Sequence, residues 1–379
     1  MFDCALVKCE TYDENSVKTA LAEAIEKIGG LDFVQKGMKI AVKPNLVSFK
    51  KPEEAVTTHP ALIKALAEMI LERGAEVVIG DSPGGPNTTV YLNKVYTATG
   101  MTALEREGVS LNRDLTEKTE DFPEGKAVKS ITYTAYLKEC DAIIDVCKLK
   151  SHGMMGMSAA VKNLYGAIPG LKKPEMHYKF PNEADFAEML IDLNEFFKPR
   201  LAICDAVVGM EGNGPLNGKA REVGTIIAAK NTYYCDLVAA ELIGREFDEL
   251  PTLAAAYKRG LAPKTSAELN LYGDPKALCV KDFEAPPVRG LRFMREGTFL
   301  HFISSKCLAQ KPVLKPKLCV GCGECARTCP AKAIDMKNKK PVIDRKKCIR
   351  CFCCQEFCPK AAMVVHRPVV ARALNKLKL

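Results

Sequence analysis

The 379-residue sequence predicts an α/β protein, a mostly parallel sheet with helices on both faces, followed by a small α+β module at the C-terminus. Two observations carry that expectation. Apolar strand-like runs alternate with segments of helical periodicity through the first two-thirds of the chain, and one cysteine pattern occurs twice near its end. The pattern reads Cys319-x2-Cys322-x2-Cys325-x3-Cys329-Pro330, then Cys348-x2-Cys351-x2-Cys354-x3-Cys358-Pro359.

Each half of that duplication is the ferredoxin run, in which three closely spaced thiolates and a fourth before proline hold a [4Fe–4S] cube. The fourth thiolate serves the other cube in two-cluster modules, which pairs Cys319, Cys322 and Cys325 with Cys358, and Cys348, Cys351 and Cys354 with Cys329. Structural zinc also uses Cys-x2-Cys pairs, but it does not require a fourth cysteine before proline, twice over. The expected cofactors are therefore two [4Fe–4S] clusters. Cys353, between two ligands, reads as a bystander thiol.

Composition fits this picture. Hydrophobic residues at 47% and charged residues at 27% are ordinary for a soluble globular protein. Of 17 cysteines, those outside the duplication show no disulfide-framework spacing. No apolar run approaches the ~20 residues of a membrane span, and the first ten residues lack the marks of a secretory signal. The expectation is a reducing cytoplasm, in an anaerobic or microaerobic cell. Charge is uneven: from Lys306 onward there are 18 Lys+Arg against 4 Asp+Glu. With no nucleic-acid recognition motif beside it, this balance points to anionic clusters and to a redox partner with an acidic surface. Neither nucleic acid nor membrane is expected as a partner.

In chain order, residues 4–9 form a short apolar run suited to a strand. Residues 14–28 carry helical spacing and stop at Gly29-Gly30. Residues 38–42 are the next strand, ending in Lys43-Pro44-Asn45. Residues 60–72 form a helix with Thr58 or His59 as cap and Pro60 in its first turn. Residues 76–80 are a strand running into Asp81-Ser82-Pro83-Gly84-Gly85. Residues 88–107 read as helical, and 108–135 as a β excursion. The buried-type run 142–147 leads into Lys148-Leu149-Lys150-Ser151-His152-Gly153. Residues 158–165 read as a helix carrying Lys162 and Asn163. Helix 183–197, strand 201–208, loop 209–215, strand 224–229 and helix 232–243 follow. These divide the chain into an α/β domain (1–272), a proline-punctuated connecting segment (273–317) and the cluster domain (318–379). The last residues, 369–379, read as a short basic amphipathic helix.

Ligands of open α/β sheets bind beyond the carboxyl ends of the strands. Four polar or glycine-rich loops fall at such ends: 43–45, 81–85, 148–153 and 209–215. If the strands are parallel, the loops share one rim. Lys43, Lys148, Lys150 and Lys162 each follow or flank an apolar run there, and lysine binds phosphate and carboxylate. Asn45, His59, Asn163 and Glu211 join them as candidate contacts to an anionic small molecule. His152, His177 and Asp81 are candidates for proton transfer. Surface lysines, structural histidines and plain turns at Gly84-Gly85 and Gly212-x-Gly214 are the alternatives. Met154, Met155, Met157 and Met176 read as a flexible apolar lid, ahead of a soft-metal site.

The stretches 148–157 and 162–170, with His177, Lys43-Pro44-Asn45, Thr58-His59-Pro60 and Gly80-Asp81-Ser82, resemble a prokaryotic family catalogued as domain of unknown function 362. The resemblance covers about residues 38–245, with Ser151 where threonine is expected. It implies an α/β iron–sulfur protein of anaerobic metabolism and carries no reaction with it. Together these features lead to a ferredoxin-coupled oxidoreductase acting on an anionic small molecule. The alternatives are a non-catalytic electron carrier whose large domain docks a partner enzyme, and a protein handling metal or cofactor through His152, His177 and the methionines. Protein purified without oxygen is expected to contain about eight irons per chain, measured by colorimetric iron assay. Zinc at one or two equivalents in place of iron contradicts the cluster assignment.

Overall fold

The computed structural model describes residues 1–170, 172–285 and 310–366. Its strands up to residue 285 are β1 (Cys4–Lys8), β2 (Lys39–Pro44), β3 (Glu76–Ile79), β4 (Val109–Leu111), β5 (Glu117–Asp121), β6 (Ser130–Thr134), β7 (Ala142–His152), β8 (Gly156–Ser158), β9 (Leu201–Glu211), β10 (Lys219–Ala229) and β11 (Leu271–Tyr272). One sheet runs in the order β11-β1-β10-β9-β7-β2-β3-β4, with β8 paired to β7. From β9 to β4 every neighbouring pair is parallel, whereas β10 runs antiparallel to both β1 and β9.

Alternation along the strands sorts side chains to two covered faces. Val7, Ile40, Val42, Val77, Ile79, Ile144 and Ile203 meet Val17, Leu21, Leu62, Leu66 and Val95 of helices Glu14–Lys27, Pro60–Leu71 and Thr89–Ala98. On the opposite face Cys4, Leu6, Cys147, Ala202, Cys204 and Ile227 meet Leu237 and Val238 of helix Thr232–Leu242. Ala41 and Ile143 face Leu190 and Leu193 of helix Glu183–Phe197. The helix starts are capped as their residue types require: Asp13, Thr88, Asn182 and Asn231 each accept a backbone N–H three residues on.

Several boundaries differ from the expectation. The helix beginning at Thr89 stops at Ala98, because Gly100 turns left-handed at φ 78. Residues 109–111 then join the main sheet as β4, and β5 and β6 form a separate antiparallel hairpin. Residues 160–163 are a single helical turn followed by a 3-10 turn, shorter than the helix read at 158–165. β7 runs on to His152 and β9 to Glu211, so parts of the expected loops are strand. β10 begins at Lys219, across an irregularity between Glu222 and Thr225 that the apolar pattern of 224–229 does not signal.

In the C-terminal module, β12 (Lys311–Leu314) pairs with β15 (Met363–His366), and β13 (Ile334–Lys337) pairs with β14 (Lys340–Ile343). β12 lies inside the segment read as a connector, since pairing with β15 was not visible in its proline-flanked residues. Short helices Glu324–Arg327 and Cys353–Glu356 hold the cysteine loops around a small core of Ile334, Met363 and neighbouring thiols. Residues 369–379, read as a helix, lie outside the described residues, as do 286–309 of the connector.

One buried carboxylate ties two elements of the large domain. Oδ1 of Asp236, on helix Thr232–Leu242, accepts hydrogen bonds from the backbone of Ala160 (2.6 Å) and Val161 (3.2 Å). Asp236→Ala leaves both donors buried and unpaired, and is expected to cost about 1–3 kcal/mol, read as a lower denaturant midpoint.

Candidate active site at the carboxyl rim of the sheet

β9, β7, β2 and β3 are adjacent and parallel, so the segments following them do share one rim. A cavity of about 470 Å³ opens there, walled on one side by the rim and on the other by residues 356–359 of the module. Its polar wall carries Asn45, Ser82, Lys150, Lys162, Asn163, Lys173 and His177, and Asp81 reaches it as well. Phe49, Tyr91 and Phe357 make an aromatic wall around Gly84, where a Cβ would stand 3.2 Å from the Phe357 ring. Glu356, Cys358 and Pro359 complete the module's side.

The lysines of the rim fall into two groups. Lys43 is fully buried and pairs with Asp81 Oδ1 at 2.8 Å, while Asp81 Oδ2 accepts from Leu46 N at 2.7 Å. Gly166 lies against this pair, and any Cβ there would collide with both partners. Lys148 is buried against Asp205 at 2.9 Å and Tyr12 Oη at 2.7 Å. His59 belongs to that second network: its backbone N–H donates to Asp205, its ring stacks on Tyr12, and its Nδ1 caps helix Pro60–Leu71 by accepting from Ala61. Lys43, Lys148 and His59, read as anion contacts, are thus held by carboxylates or by a cap and stand outside the cavity. Glu211 is also outside it, accepting from Glu284 N at 3.1 Å.

Lys150, Lys162 and Lys173 differ. Lys150 Nζ donates to Asn45 Oδ1 (2.7 Å) and to the Val56 carbonyl (2.9 Å), both neutral. Asn45 donates to Asn163 Oδ1, and Asn163 donates to Asp145 Oδ1 at 2.8 Å, which fixes the polar wall. Lys173 Nζ donates to the carbonyls of Ser82 and Ile168. Lys162 Nζ stands 5.4 Å from the centre of the Tyr165 ring. Burial without a paired carboxylate lowers the pKa of all three, to about 7 for Lys150 and Lys173.

His152 is fully buried and does not line the cavity. Its Nδ1 accepts from the backbone of Met154 and Met155 (both 3.1 Å), so the ring proton sits on Nε2, which faces Glu356 Oε1 at 3.2 Å. Burial keeps His152 neutral, its pKa held at about 4. Burial would raise Glu356, but the neighbouring His152 and the positive charge of Lys162 hold it at about 2. His177 reaches the cavity, stacks on Phe186, and has a buried Nδ1 with no hydrogen-bond partner; burial lowers its pKa to about 3. Met154, Met155 and Met157 are buried in the packed interior and do not line the cavity, so they are core and not lid. The glycine loops are turns: Gly84 N donates to Val47 O, Gly212 N to Glu284 O and Gly214 N to Ser151 Oγ, leaving those groups no phosphate to hold.

Lys173, Glu356 and Asp145 were not singled out in the sequence, and Ser82 entered only as part of the Gly80-Asp81-Ser82 motif. Lys173 sits on helix Lys172–Lys179, away from any strand end. Glu356 lies between two cysteines, where ligand spacing draws all the attention.

The module's cysteines fit clusters. Cys319, Cys322, Cys325 and Cys358 line one apolar chamber with Leu314, Met336 and Met363. Burial raises the pKa of Cys348 and Cys354, and Cys329 lies near enough to add to the rise in both thiols. Cys329 Sγ accepts from Ala333 N and Cys358 Sγ from Ala362 N, each at 3.2 Å, at equivalent places in the two repeats. Among the described residues, the thiols that converge within 4.8 Å of one another are Cys147, Cys204 and Cys235 in the domain core. A single zinc needs thiolates about that close, with Zn–S near 2.3 Å; among the described residues no three of the eight module thiols converge so tightly.

Comparisons with known proteins agree with this anatomy. A family model described as domain of unknown function (DUF362) matches residues 40–241, and one described as 4Fe-4S dicluster domain matches 311–359. A thylakoid-associated protein of Synechocystis sp. is 31% identical over 307 residues, covering 79% of this chain and 94% of that protein. Two solved structures overlap more loosely. The lactate racemase apoprotein of Thermoanaerobacterium thermosaccharolyticum gives a TM-score of 0.40 at 15% identity, over 62% of this chain and 56% of the other. A Thermotoga maritima protein gives 0.36 at 14%, over 60% and 57%. The chain thus spans little more than half of either solved structure. Among the described residues, no helix is long and apolar enough to cross a membrane.

The pKa shifts set a direction for anion binding. Lys150 and Lys173 carry charge below pH 7 and lose it as pH rises through about 7. Calorimetric titration with sulfate is expected to show affinity falling from pH 6 to 8.5, by up to about tenfold per unit for each lysine involved. In Lys150→Met the binding is weaker and the pH dependence shallower.

Proposed function

Because this chain belongs to the family of domain of unknown function 362 and ends in a 4Fe-4S dicluster domain, we propose that it is an iron–sulfur oxidoreductase. It passes low-potential electrons between a redox partner and an anionic small molecule held at the sheet rim. The observation that carries this reading is the shared cavity: one wall presents Lys150, Lys162 and Lys173, and the other presents Cys358, a thiolate of the cluster motif. Bound on the two sets of four cysteines, a pair of [4Fe–4S] clusters supplies one-electron transfer, on the order of −400 mV.

The chain's own residues account for the rest. Lys150, Lys162 and Lys173 attract the anion, each lacking a carboxylate of its own in hydrogen-bond contact. Asn45 and Asn163 orient Lys150 through the hydrogen bonds that run to Asp145. Lys150 Nζ and Lys173 Nζ, with pKa values near neutrality, hold and release protons at the reacting molecule. His177 offers a buried nitrogen to the same space. His152 acts as a positioning residue through Glu356, and Asp81 fixes Lys43, so neither serves as the proton donor expected of it. The aromatic wall suits an unsaturated or ring-bearing acid, stacked near Cys358. The reducing cytoplasm is the compartment that such thiolate-rich sites require.

The test is single-turnover reoxidation of the reduced protein by candidate unsaturated acids, followed optically. Lys150→Ala is expected to slow it at least tenfold with iron content unchanged. Normal reoxidation in that variant, with normal transfer to a protein acceptor, supports the electron-carrier reading instead.

A further inference from the structure

We propose that the face around Cys322 is the docking site of an acidic redox protein. Among the eight cysteines of the duplicated motif, Cys322 is the exposed one, whereas Cys325, Cys351 and Cys354 are buried. Leu318 and Val320, which flank Cys319, are 47% and 61% exposed, among few large apolar side chains so placed in the described residues. Exposed apolar side chains beside a ligand loop offer a small apolar contact to a docking molecule.

Charge identifies that molecule. Lys315 and Lys317 lead into the loop and are exposed. Lys340 Nζ is fastened over the loop by the carbonyls of Cys319 (2.7 Å) and Pro316 (3.1 Å). Arg327 donates to the Cys322 carbonyl at 3.0 Å and also pairs with Glu324, the one carboxylate between Lys311 and Ile334. An apolar pair rimmed by lysines that have no carboxylate partner among the described residues matches a partner with a small apolar contact ringed by Asp and Glu, of which a flavodoxin is an example. Opposite charge steers such encounters and makes them salt-dependent.

This inference rests on the electron-transfer character of the module and not on the cavity, so the assay contains no small anion and its failure is separable from that of the cavity reading. The full chain, with its iron, is titrated with a flavodoxin at low and at physiological salt. Reduction by reduced flavodoxin and by titanium(III) citrate is followed in parallel. In Lys315→Glu/Lys317→Glu, affinity and flavodoxin-driven reduction are expected to fall at least tenfold, with titanium-driven reduction and iron content unchanged. The control Lys346→Glu/Lys347→Glu, beside Cys348, is expected to change affinity less than twofold. Val320→Asp probes the apolar contact; if it loses iron, the lysine pair alone decides. Equal losses in both lysine pairs, or unchanged flavodoxin binding in the first, overturn the proposal. So does a face that ignores flavodoxin yet mediates self-association, or binding to vesicles of anionic lipid.

Discussion

The organising constraint of this molecule is the burial of lysine at the carboxyl ends of parallel strands. An ammonium taken out of water needs a carboxylate, several neutral acceptors, or a lowered pKa. The rim uses all three. Lys43 and Lys148 have Asp81 and Asp205, and with them they brace β2 against β3 and β7 against β9. Lys150 and Lys173 have only amide and carbonyl oxygens. That difference separates lysines that build the rim from lysines that can serve a guest, and it does so without reference to any ligand.

The second constraint comes from the module. Its helix Cys353–Glu356 sits against the rim, with Gln355 donating to Asn213 O, Asn217 donating to Gln355 O, and Glu356 facing His152. The cavity exists because two bodies meet there: neither the rim nor residues 356–359 would enclose it alone. The contact also explains why His152 is locked and out of the cavity, while burial keeps its ring neutral against the pull of Glu356. Its Nδ1 is committed to the backbone turn, and its Nε2 stands 3.2 Å from Glu356 Oε1 of the module.

Much of the architecture was legible in advance, because it rests on short-range pattern. Apolar runs, helical spacing, the cap expected at Thr58 or His59 and found at His59, and the cysteine spacing are local. Pairing is not. β4, β8, β12 and the antiparallel β10 depend on partners distant in sequence, and the irregularity in β10 has no local mark. The candidate residues show the same division. Lys150, Lys162, Asn45, Asn163 and His177 do come together around one space. Lys43, Lys148, His59 and Glu211 have the same local setting and are drawn off by partners that sequence cannot reveal. Lys173 and Glu356 enter from a helix and from the module, where strand-end reasoning does not look.

By itself, then, the amino-acid order determined the duplicated cysteine motif of the 4Fe-4S dicluster domain, the α/β alternation and the polar loops at the strand ends, since each follows from spacing within a few residues. Tertiary structure decided which charges are satisfied and which remain available, and placed a cluster cysteine in the wall of the cavity. Those outcomes depend on distances between segments that lie far apart in the chain, and a buried charge acquires its role from the neighbour it meets.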